Sequence, residues 1–453
     1  MNRPTPLSGF PELLPAQRYV EQQVLARLAE TFELHGFANV ETRAVEPLDQ
    51  LVRTGETSKE VYVLRRLHSA EDGNDSGLGL HFDLTVPFAR YVLENAGKLE
   101  FPFRRYQIQK VWRGERPQVG RFREFTQADI DVIGRDTLAF HHDVEVARVM
   151  LDALRGLADP RLIGLPGFQL QVNNRKLIQG FYTGLGVTDL DAVMRAVDKL
   201  DKLSEDQVGA MLVEEAGLTL EQADSCLALA RISTSDTSFV EQVRSLGVRD
   251  DLLDEGITEL ATVIEGCAPL VTDRVQIVAD LKIARGLDYY TGTVFETRLE
   301  GYESLGSICS GGRYDALATD GRTTYPGVGI SLGVSRVLVP LLNKGVVEAD
   351  RSVPSAVLVA VVDEQNRHES DAIAEQLRSN GVPCEVAPAA AKYGRQIRHA
   401  DRRGIPYVLF PGSTEQAPEV KDIRSGEQAA VDLTTWTPPV EDLSPRLRNQ
   451  NGG

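Results

Sequence analysis

From residue 356 to residue 410 the chain alternates short apolar runs with helical patterns, and few folds accommodate that order. The strand-sized runs lie at 356–362, 382–386 and 406–410, and the helical patterns between them lie at 368–381 and 392–404. Strands that alternate with helices form parallel βαβ units. The pattern predicts a small α/β domain at 355–440, with a polar linker at 347–354 before it and a frayed tail at 441–453 after it.

The N-terminal part of the chain begins with a helical pattern and continues with strand-like runs. An apolar residue at every fourth position predicts an amphipathic helix at 16–35, which Gly36 can end. Its apolar stripe consists of Val20, Val24, Leu28 and Phe32. The clearest strand-like runs that follow are at 61–64, 106–112 and 125–133, with a polar, glycine-rich loop at 69–79.

A long helical block interrupts the strand-like runs. From about residue 175 to residue 272 only helical patterns occur, and strand-like runs return at 275–283 and 292–299. We therefore predict one core that is split into two parts, 1–174 and 273–346, around a helical insertion at 175–272.

Charge and composition exclude several classes of protein. The chain has 49 basic and 66 acidic residues and a net charge of −17, so it cannot coat nucleic acid, and any phosphate site needs local cations. No apolar run approaches the ~18 residues that cross a bilayer, and we expect neither a membrane segment nor a secretory signal. The four cysteines have no metal-like spacing, which favours a reduced, cytoplasmic setting.

The segment 103–131 predicts a hairpin with one polar face, because alternate residues of a strand share a face. The face of the second strand carries Arg121, Arg123, Phe125, Gln127, Asp129 and Asp131, and on the strand before it Gln107, Gln109 and Arg113 share parity. Such a face is either solvated or the floor of a polar site. In antiparallel sheets a solvated face is the commoner case.

Three further segments favour a polar site, namely 82–85, 284–292 and 310–336. In the first, Asp83 and Thr85 share parity, although either could instead cap the helical pattern that follows. The second places Arg285, two glycines and paired tyrosines between apolar runs; tyrosine supplies an apolar wall and a hydroxyl group, and glycine lets a ligand approach the backbone. The third alternates glycine with other residues, which indicates close packing or a nearby ligand.

Four arginines, each isolated in a structured motif, could bind phosphate; they are Arg113, Arg121, Arg285 and Arg336. The guanidinium group has a fixed fork of donors that matches phosphate. Carboxylates close to them in sequence could hold an ammonium group or Mg²⁺; they are Glu115, Asp129 and Asp131. This set predicts a nucleotide site beside a pocket for a small polar organic molecule. The sequence has no Walker A or His-Glu-x-x-His motif.

Two sets of residues carry a resemblance to a known family. Arg113-x-Glu115, a loop and Arg121-x-x-x-Phe125-x-x-x-Asp129 resemble motif 2 of class II aminoacyl-tRNA synthetases. Arg285-Gly-Leu-Asp-Tyr-Tyr-Thr-Gly-Thr-Val-Phe-Glu296 and Gly311-Gly-Arg-Tyr-Asp315 are similar to the signature segments of histidyl-tRNA synthetases, and the similarity extends from residue 8 to the C-terminal α/β domain. It implies an α+β catalytic core with a six-stranded antiparallel sheet flanked by helices, a helical insertion and a C-terminal anticodon-binding domain. It also implies a homodimer that uses histidine, histidine tRNA and ATP, with Mg²⁺ carried by the ATP phosphates.

The same resemblance implies roles for individual residues. Arg113 and Arg285 would lie on opposite sides of the α-phosphate of ATP as the catalytic pair. Arg121 and Arg336 would bind the β- and γ-phosphates, and Glu115 would bind the adenine side. The histidine pocket would be lined by Asp83, Thr85, Gln127, Asp131, Tyr289, Tyr290 and Tyr314.

The sequence departs from the family pattern at three positions. Ser335 stands where a motif 3 glutamate is expected, which leaves the role of that acid unfilled. Arg43 stands where motif 1 has a proline, which weakens the prediction of a dimer from motif 1. Asp83 replaces a glutamate of many bacterial members and keeps a carboxylate for the ammonium group of the substrate.

One helix of the C-terminal domain carries a cationic stripe. Its members, Lys392, Arg395, Arg398, His399, Arg402 and Arg403, fall within about 140° of the helix circumference. The stripe is either a solvated face or a tRNA contact. The resemblance favours tRNA contact through Lys392, Arg395, Arg398 and Arg402. Elsewhere, His141 and His142 predict a surface pair at a helix start, and we expect no metal site.

Two alternatives to a ligase share this core. A catalytically silent paralogue that regulates ATP phosphoribosyltransferase in histidine biosynthesis usually lacks the 285–296 segment and the C-terminal domain, and this sequence has both. A synthetase-like RNA-binding module fused to a sensor kinase would bring a kinase motif or a second large domain, and neither occurs. The resemblance therefore favours a histidine–tRNA ligase, which activates histidine with ATP and transfers it to the 3′ end of histidine tRNA.

Overall fold

The computed structural model describes residues 4–52, 60–66, 77–283, 289–413 and 416–450. They belong to two compact units, the first comprising 1–11, 25–159 and 165–340, and the second comprising 12–24, 160–164 and 341–453. No helix in the described ranges is both long enough and apolar enough to span a membrane.

The helices in chain order are α1 (Pro15–Leu34), α2 (Leu48–Leu51), α3 (Thr85–Asn95), α4 (His141–Leu157), α5 (Arg175–Gly184), α6 (Leu190–Val197), α7 (Glu205–Glu214), α8 (Leu220–Ala230), α9 (Phe239–Ser245), α10 (Asp251–Cys267), α11 (Val334–Asn343), α12 (Arg367–Ser379) and α13 (Tyr393–Arg403). The strands are β1 (Ala38–Asn39), β2 (Val45–Pro47), β3 (Val63–Leu64), β4 (Leu78–Leu80), β5 (Phe103–Trp112), β6 (Glu124–Ile133), β7 (Phe168–Asn174), β8 (Ser233–Thr234), β9 (Val275–Asp280), β10 (Thr293–Leu299), β11 (Cys309–Thr319), β12 (Thr324–Gly333), β13 (Val347–Ala349), β14 (Val357–Val359), β15 (Cys384–Val386), β16 (Tyr407–Phe410), β17 (Glu419–Asp422), β18 (Gln428–Ala430) and β19 (Leu447–Asn449).

The N-terminal helix forms as its period predicts. The four apolar residues of the predicted stripe are at most 1% exposed in α1. After the helix, Gly36 adopts a φ of 79°, a left-handed conformation that glycine takes without strain.

A nine-stranded sheet forms the centre of the first unit, in the order β1-β5-β6-β12-β11-β10-β7-β9-β8. The six strands from β5 to β7 in this order pair antiparallel with one another, as the resemblance implied. Strand β1 pairs in parallel with β5, and β9 pairs in parallel with β7. Helix α4 packs against β6 and β12, and α10 packs against β7 and β9, so helices flank the sheet.

The segment 175–272 contains α5 to α10 and is mostly helical. It also contains β8, which pairs with β9 at the sheet edge and which the sequence pattern did not predict. The borders that we predicted for an inserted domain, at 174 and 272, remain predictions.

The second unit contains the α/β arrangement that the alternation predicted. Strand β14 pairs in parallel with β15 and with β16. The sheet continues with the antiparallel strands β17 and β18, which the pattern missed.

The prediction of a frayed tail is wrong for 441–450. Strand β19 pairs with β13, and β13 lies within the segment 347–354 that we predicted as a polar linker. Asp442 is buried, accepts a hydrogen bond from the Tyr407 hydroxyl at 2.7 Å and forms an ion pair with Arg424 at 2.8 Å. These long-range bonds fix the C-terminal segment, and no local sequence pattern predicts them.

Candidate active site

The polar face of β6 is buried, so the alternative of a solvated face is wrong. Gln127, Asp129 and Asp131 are each at most 6% exposed. They lie on one face because they alternate along a strand, and the neighbouring strands β5 and β12 flank them on both sides. Ala128 and Ile130, which alternate with them along the strand and point to the opposite face, are fully buried core residues.

A buried ion pair occupies one end of this face. In the register of β5 and β6, Arg105 lies directly opposite Asp131, and 2.7 Å separates its Nη2 from Oδ2 of the carboxylate. The Tyr314 hydroxyl donates to Oδ1 of Asp131, also at 2.7 Å. Burial raises the pKa of Asp131, and the guanidinium of Arg105 opposes that shift. The Arg105 side chain is fully buried and lies 4.4 Å from the ring centre of Phe88.

Asp83 faces the same pocket from the segment before α3. Its Oδ1 accepts a hydrogen bond from the backbone N–H of Val86 at 3.1 Å, and the Tyr289 hydroxyl donates to Oδ2 at 3.4 Å. Asp83 therefore caps the first turn of α3 and also lines the pocket. Burial raises the pKa of Asp83 to about 6, against the opposing charges of Arg113 and Arg105. Thr85 begins α3 and bonds with Tyr289.

Three tyrosine rings wall the pocket, and glycines make room for them. The ring centre of Tyr289 lies 5.0 Å from that of Tyr290 and 6.0 Å from that of Tyr314. Burial raises the pKa of all three hydroxyl groups, which stay protonated at neutral pH. A Cβ atom on Gly327 would lie 2.4 Å from the Tyr314 ring, and one on Gly329 would lie 2.2 Å from Oδ1 of Asp131. The glycine alternation of β12 therefore reflects close packing around the pocket.

Beside the pocket lies a cleft of about 480 Å³, open to solvent and lined by three of the four predicted arginines. Arg113 donates from Nε to the Phe82 carbonyl at 2.9 Å and lies 5.2 Å from the ring centre of Phe125. Arg121 is half-exposed and bonds Glu115 at 3.3 Å. Glu115 also lies 3.8 Å from Arg113, so the carboxylate stands between two cations.

The third arginine of the cleft, Arg336, is mostly buried. Its Nε donates to the Gly120 carbonyl at 3.2 Å, and its Nη1 donates to the carbonyl of Ser307. Burial, together with the nearby charges of Arg121 and Arg113, lowers the pKa of Arg336 to about 10. Cations that raise one another's energy in this way favour a polyanionic ligand.

Arg285 lies in 284–288, outside the described residues, as does most of the predicted loop at 69–79. Its position opposite Arg113 therefore remains a prediction. Ser335, which stands at the motif 3 glutamate position, accepts a hydrogen bond from the backbone N–H of Thr126 at 2.9 Å. In this chain the position joins the start of α11 to β6. Arg43 forms ion pairs with Glu46 and Glu94.

Sequence reasoning missed two members of the pocket and misplaced one residue elsewhere. The first is Arg105. It shares its parity with Gln107 on β5, and this parity was the available signal that it lies on the polar face. Asp129 stood among the polar residues of the β6 face but received no role in the histidine pocket. Of the predicted surface pair at the start of α4, His141 is exposed but His142 is buried, where its Nδ1 lies 2.5 Å from Glu145.

The cationic stripe lies on α13 and on its N-cap residue, Lys392, in the second unit. Lys392, Arg395, Arg398 and Arg402 are exposed, and no carboxylate within the described ranges forms an ion pair with them. Arg403 instead pairs with Glu385 at 3.1 Å, and His399 approaches the same carboxylate. The free cations are therefore the four that we predicted as tRNA contacts.

The chain is similar to characterised proteins over nearly its full length. The family model described as "Histidyl-tRNA synthetase" matches residues 9–337, and the model described as "Anticodon binding domain" matches residues 356–440. A histidine–tRNA ligase of Cutibacterium acnes is 59% identical over 98% of this chain and 99% of its own length. One of Micrococcus luteus is 56% identical over 99% of each chain. The crystal structure of histidyl-tRNA synthetase from a Nostoc species matches with a TM-score of 0.80 and 34% identity, covering 95% of this chain and 97% of that one.

Proposed function

Because this chain belongs to the histidyl-tRNA synthetase family, we propose that it joins histidine to the 3′ end of histidine tRNA in two steps. In the first step a carboxylate oxygen of histidine attacks the α-phosphorus of ATP, which forms histidyl-adenylate and releases pyrophosphate. In the second step the 3′-terminal ribose hydroxyl of the tRNA attacks the carbonyl carbon of the adenylate, which releases AMP.

The observation that carries this proposal is the convergence of three guanidinium groups on one cleft beside a buried pocket of carboxylates and tyrosines. The cleft suits a triphosphate, since the guanidinium fork matches phosphate oxygens. The pocket suits a small molecule with several N–H donors, since its buried polar atoms are mostly acceptors. Adenylate formation requires these two sites to adjoin.

Charge governs the first step. The histidine carboxylate and the α-phosphate repel each other until cations neutralise them, and Arg113 is assigned to the α-phosphate with Arg285 opposite it. Fixed cations stabilise the developing charge of the transition state without having to reorganise. Arg121 and Arg336 would hold the β- and γ-phosphates, and Glu115 the adenine side.

The histidine pocket would discriminate through its polar atoms. Asp83, Thr85 and Gln127 would bind the α-ammonium group. Asp131 and the tyrosines at 289, 290 and 314 would surround the ring. An amino acid without the ring nitrogens would leave these buried groups unpaired, and such a site can discriminate by up to ~10⁴–10⁵.

We propose that Mg²⁺ enters with ATP and is held chiefly by its phosphates, where it would neutralise the departing pyrophosphate. The donor set of the cleft is consistent with a minor protein contribution. Its carboxylate Glu115 already bonds Arg121, and Ser335 has replaced the acid of motif 3.

The tRNA would bind through the cationic stripe of α13, which supplies local positive charge to a chain with a net charge of −17. In the second step positioning is the main source of acceleration, because the ribose hydroxyl is already held beside the mixed anhydride. We further propose that the protein acts as a homodimer in the cytoplasm. Light scattering during size-exclusion chromatography measures its oligomeric state.

Histidine-dependent exchange of pyrophosphate into ATP tests the proposal. We expect exchange by the wild-type protein, and a loss of at least a hundredfold in Arg113→Ala and in Arg285→Ala. Arg322→Ala, in an exposed turn, is the control. A wild-type protein that binds histidine but shows no exchange would instead support the catalytically silent regulator, and full activity of Arg285→Ala would refute the role assigned to that residue.

A further inference from the structure

Asp129 lies in the middle of the proposed histidine pocket, and the proposed function gives it no role. Its side chain is nearly completely buried, at 2% exposure. On the polar face of β6 it stands between Gln127 and Asp131, and the strand register places Gln107 on one side of it and Ser331 on the other.

The hydrogen bonds around Asp129 leave one carboxylate oxygen free. The Ser331 hydroxyl bonds with the carboxylate and also accepts from Nε2 of Gln127. The Gln107 amide is already engaged, because its Nε2 donates to Thr42 at 2.9 Å and to Gln109 at 2.6 Å. Oδ1 of Asp129 is buried and has no hydrogen-bond partner within the described ranges. A buried acceptor in this state is costly, so a bound ligand is the natural partner for it.

Among the described residues, the charged and titratable groups that face Asp129 include one cation, and none of them forms an ion pair with its carboxylate. They are Arg105 from β5, Asp131 on its own strand, Asp83 from the segment before α3, Tyr290 from the segment before β10, and Cys309 from β11. The guanidinium of Arg105 forms its ion pair with Asp131, and Asp83 has Arg113 nearby. Burial raises the pKa of Asp129 to about 7; the neighbouring carboxylates act in the same direction, whereas Arg105 and Ser331 oppose the shift.

We propose that Asp129 is a specificity-determining residue that binds the imidazole ring of histidine and shares one proton with it. The inference rests on the proposed function and adds to it a residue and the protonation state of the bound substrate. The pair holds one proton in either of two forms, imidazolium facing carboxylate or imidazole facing carboxylic acid. A side chain that cannot supply or accept this proton leaves Asp129 buried and unpaired, which selects against it.

The shared proton makes histidine binding depend on pH in a defined way. The free ring has a pKa of ~6.5, and that of Asp129 is about 7. Above pH 7 both are mostly deprotonated when apart, so binding takes up one proton, and the dissociation constant of histidine should rise about tenfold per pH unit. Below about pH 6 the free ring and Asp129 are both mostly protonated, so binding releases one proton. Affinity is therefore greatest between these limits.

Calorimetric titration of histidine into the full chain at pH 8, in two buffers with different ionisation enthalpies, measures the proton uptake. We expect close to one proton per histidine for the wild type and close to none for Asp129→Asn, whose histidine dissociation constant at pH 7 should rise at least tenfold. Asp136→Asn is the matched control. It removes the same charge in the exposed turn after β6, at a φ of 63° that asparagine adopts readily, and proton uptake should persist.

An unchanged KM for ATP in Asp129→Asn establishes that the variant is folded. Absence of proton uptake by the wild type at pH 8 overturns the proposal whatever the variant does, and so does equal uptake by wild type and variant. Pyrophosphate exchange with the same samples separates the two hypotheses. A wild type that exchanges pyrophosphate without proton uptake refutes only the role of Asp129, whereas one that neither binds histidine nor exchanges refutes the proposed function.

Discussion

Arg313 and Asp143 form an ion pair in the interior of the first unit, with 2.8 Å between Nη2 and Oδ2. Asp143 lies in the first turn of α4 and is fully buried, and Arg313 precedes Tyr314 on β11. Asp143 also accepts a hydrogen bond from the Thr293 hydroxyl of β10 at 2.7 Å. The pair therefore ties a helix to two strands and fixes the strand that carries a wall of the proposed histidine pocket.

Replacement of Asp143 by alanine should strongly destabilise the fold. Removal of one partner leaves the guanidinium of Arg313 buried and uncompensated, which costs about 3–5 kcal/mol. Urea unfolding of the purified variant measures the loss. Asp152→Ala, on the same helix but partly exposed, removes surface ion pairs with His35 and Arg155 and should cost less than about 1 kcal/mol. Equal losses for both variants would contradict the assignment.

The elements that the sequence predicted are those whose signal is local. The apolar stripe of α1 and the alternation around β14 depend on neighbours a few residues apart, so a periodic pattern is enough to locate them. Strand β17 has only one buried residue, Val420, and is held as a strand by backbone bonds to β16. No run of apolar residues in the sequence predicts such a strand.

The composition of the pocket was harder to predict than its existence. Parity along β6 placed the polar residues on one face, but it could not tell which residue of β5 lies opposite Asp131. That partner, Arg105, is fixed by the register of the hairpin. The ordered segment around Asp442 was missed for a similar reason, because its bonds to Tyr407 and Arg424 join residues distant in sequence.

Removal of a single arginine from the cleft should weaken the binding of ATP more than the binding of histidine. In Arg336→Ala we expect the KM for ATP to rise ~10- to 100-fold, which corresponds to about 1.5–3 kcal/mol for a charged hydrogen bond. Arg121→Ala should have a smaller effect, because its half-exposed charge is better screened by solvent. The KM for histidine should change less than about threefold in both variants. Initial rates of pyrophosphate exchange measure both KM values. An equal rise of the two would instead indicate a general collapse of the site.

The buried carboxylates should make the unliganded protein less stable as pH rises. Asp129 and Asp83 have pKa values of about 7 and about 6 in the folded state, against ~3.9 when unfolded. Their contribution is therefore fully present below about pH 4 and is lost as pH rises through 6 and 7. Asp129→Asn should reduce the loss of unfolding free energy between pH 5 and pH 8 by about 2–4 kcal/mol. Urea unfolding at the two pH values measures this, and parallel pH profiles for wild type and variant would exclude it.

The cationic stripe of α13 offers a prediction that is independent of the catalytic unit. In the double variant Arg395→Ala and Arg398→Ala, two exposed cations are lost, so the affinity for histidine tRNA should fall roughly tenfold near physiological salt. The slope of log K against log salt should become shallower by between one and two units. Pyrophosphate exchange needs no tRNA and should be unchanged. Arg403→Ala is the matched control on the same helix, since its guanidinium pairs with Glu385 and is not free for phosphate. If that control weakens tRNA binding as much as the double variant, the contact is a diffuse effect of net charge and the stripe is not the binding surface.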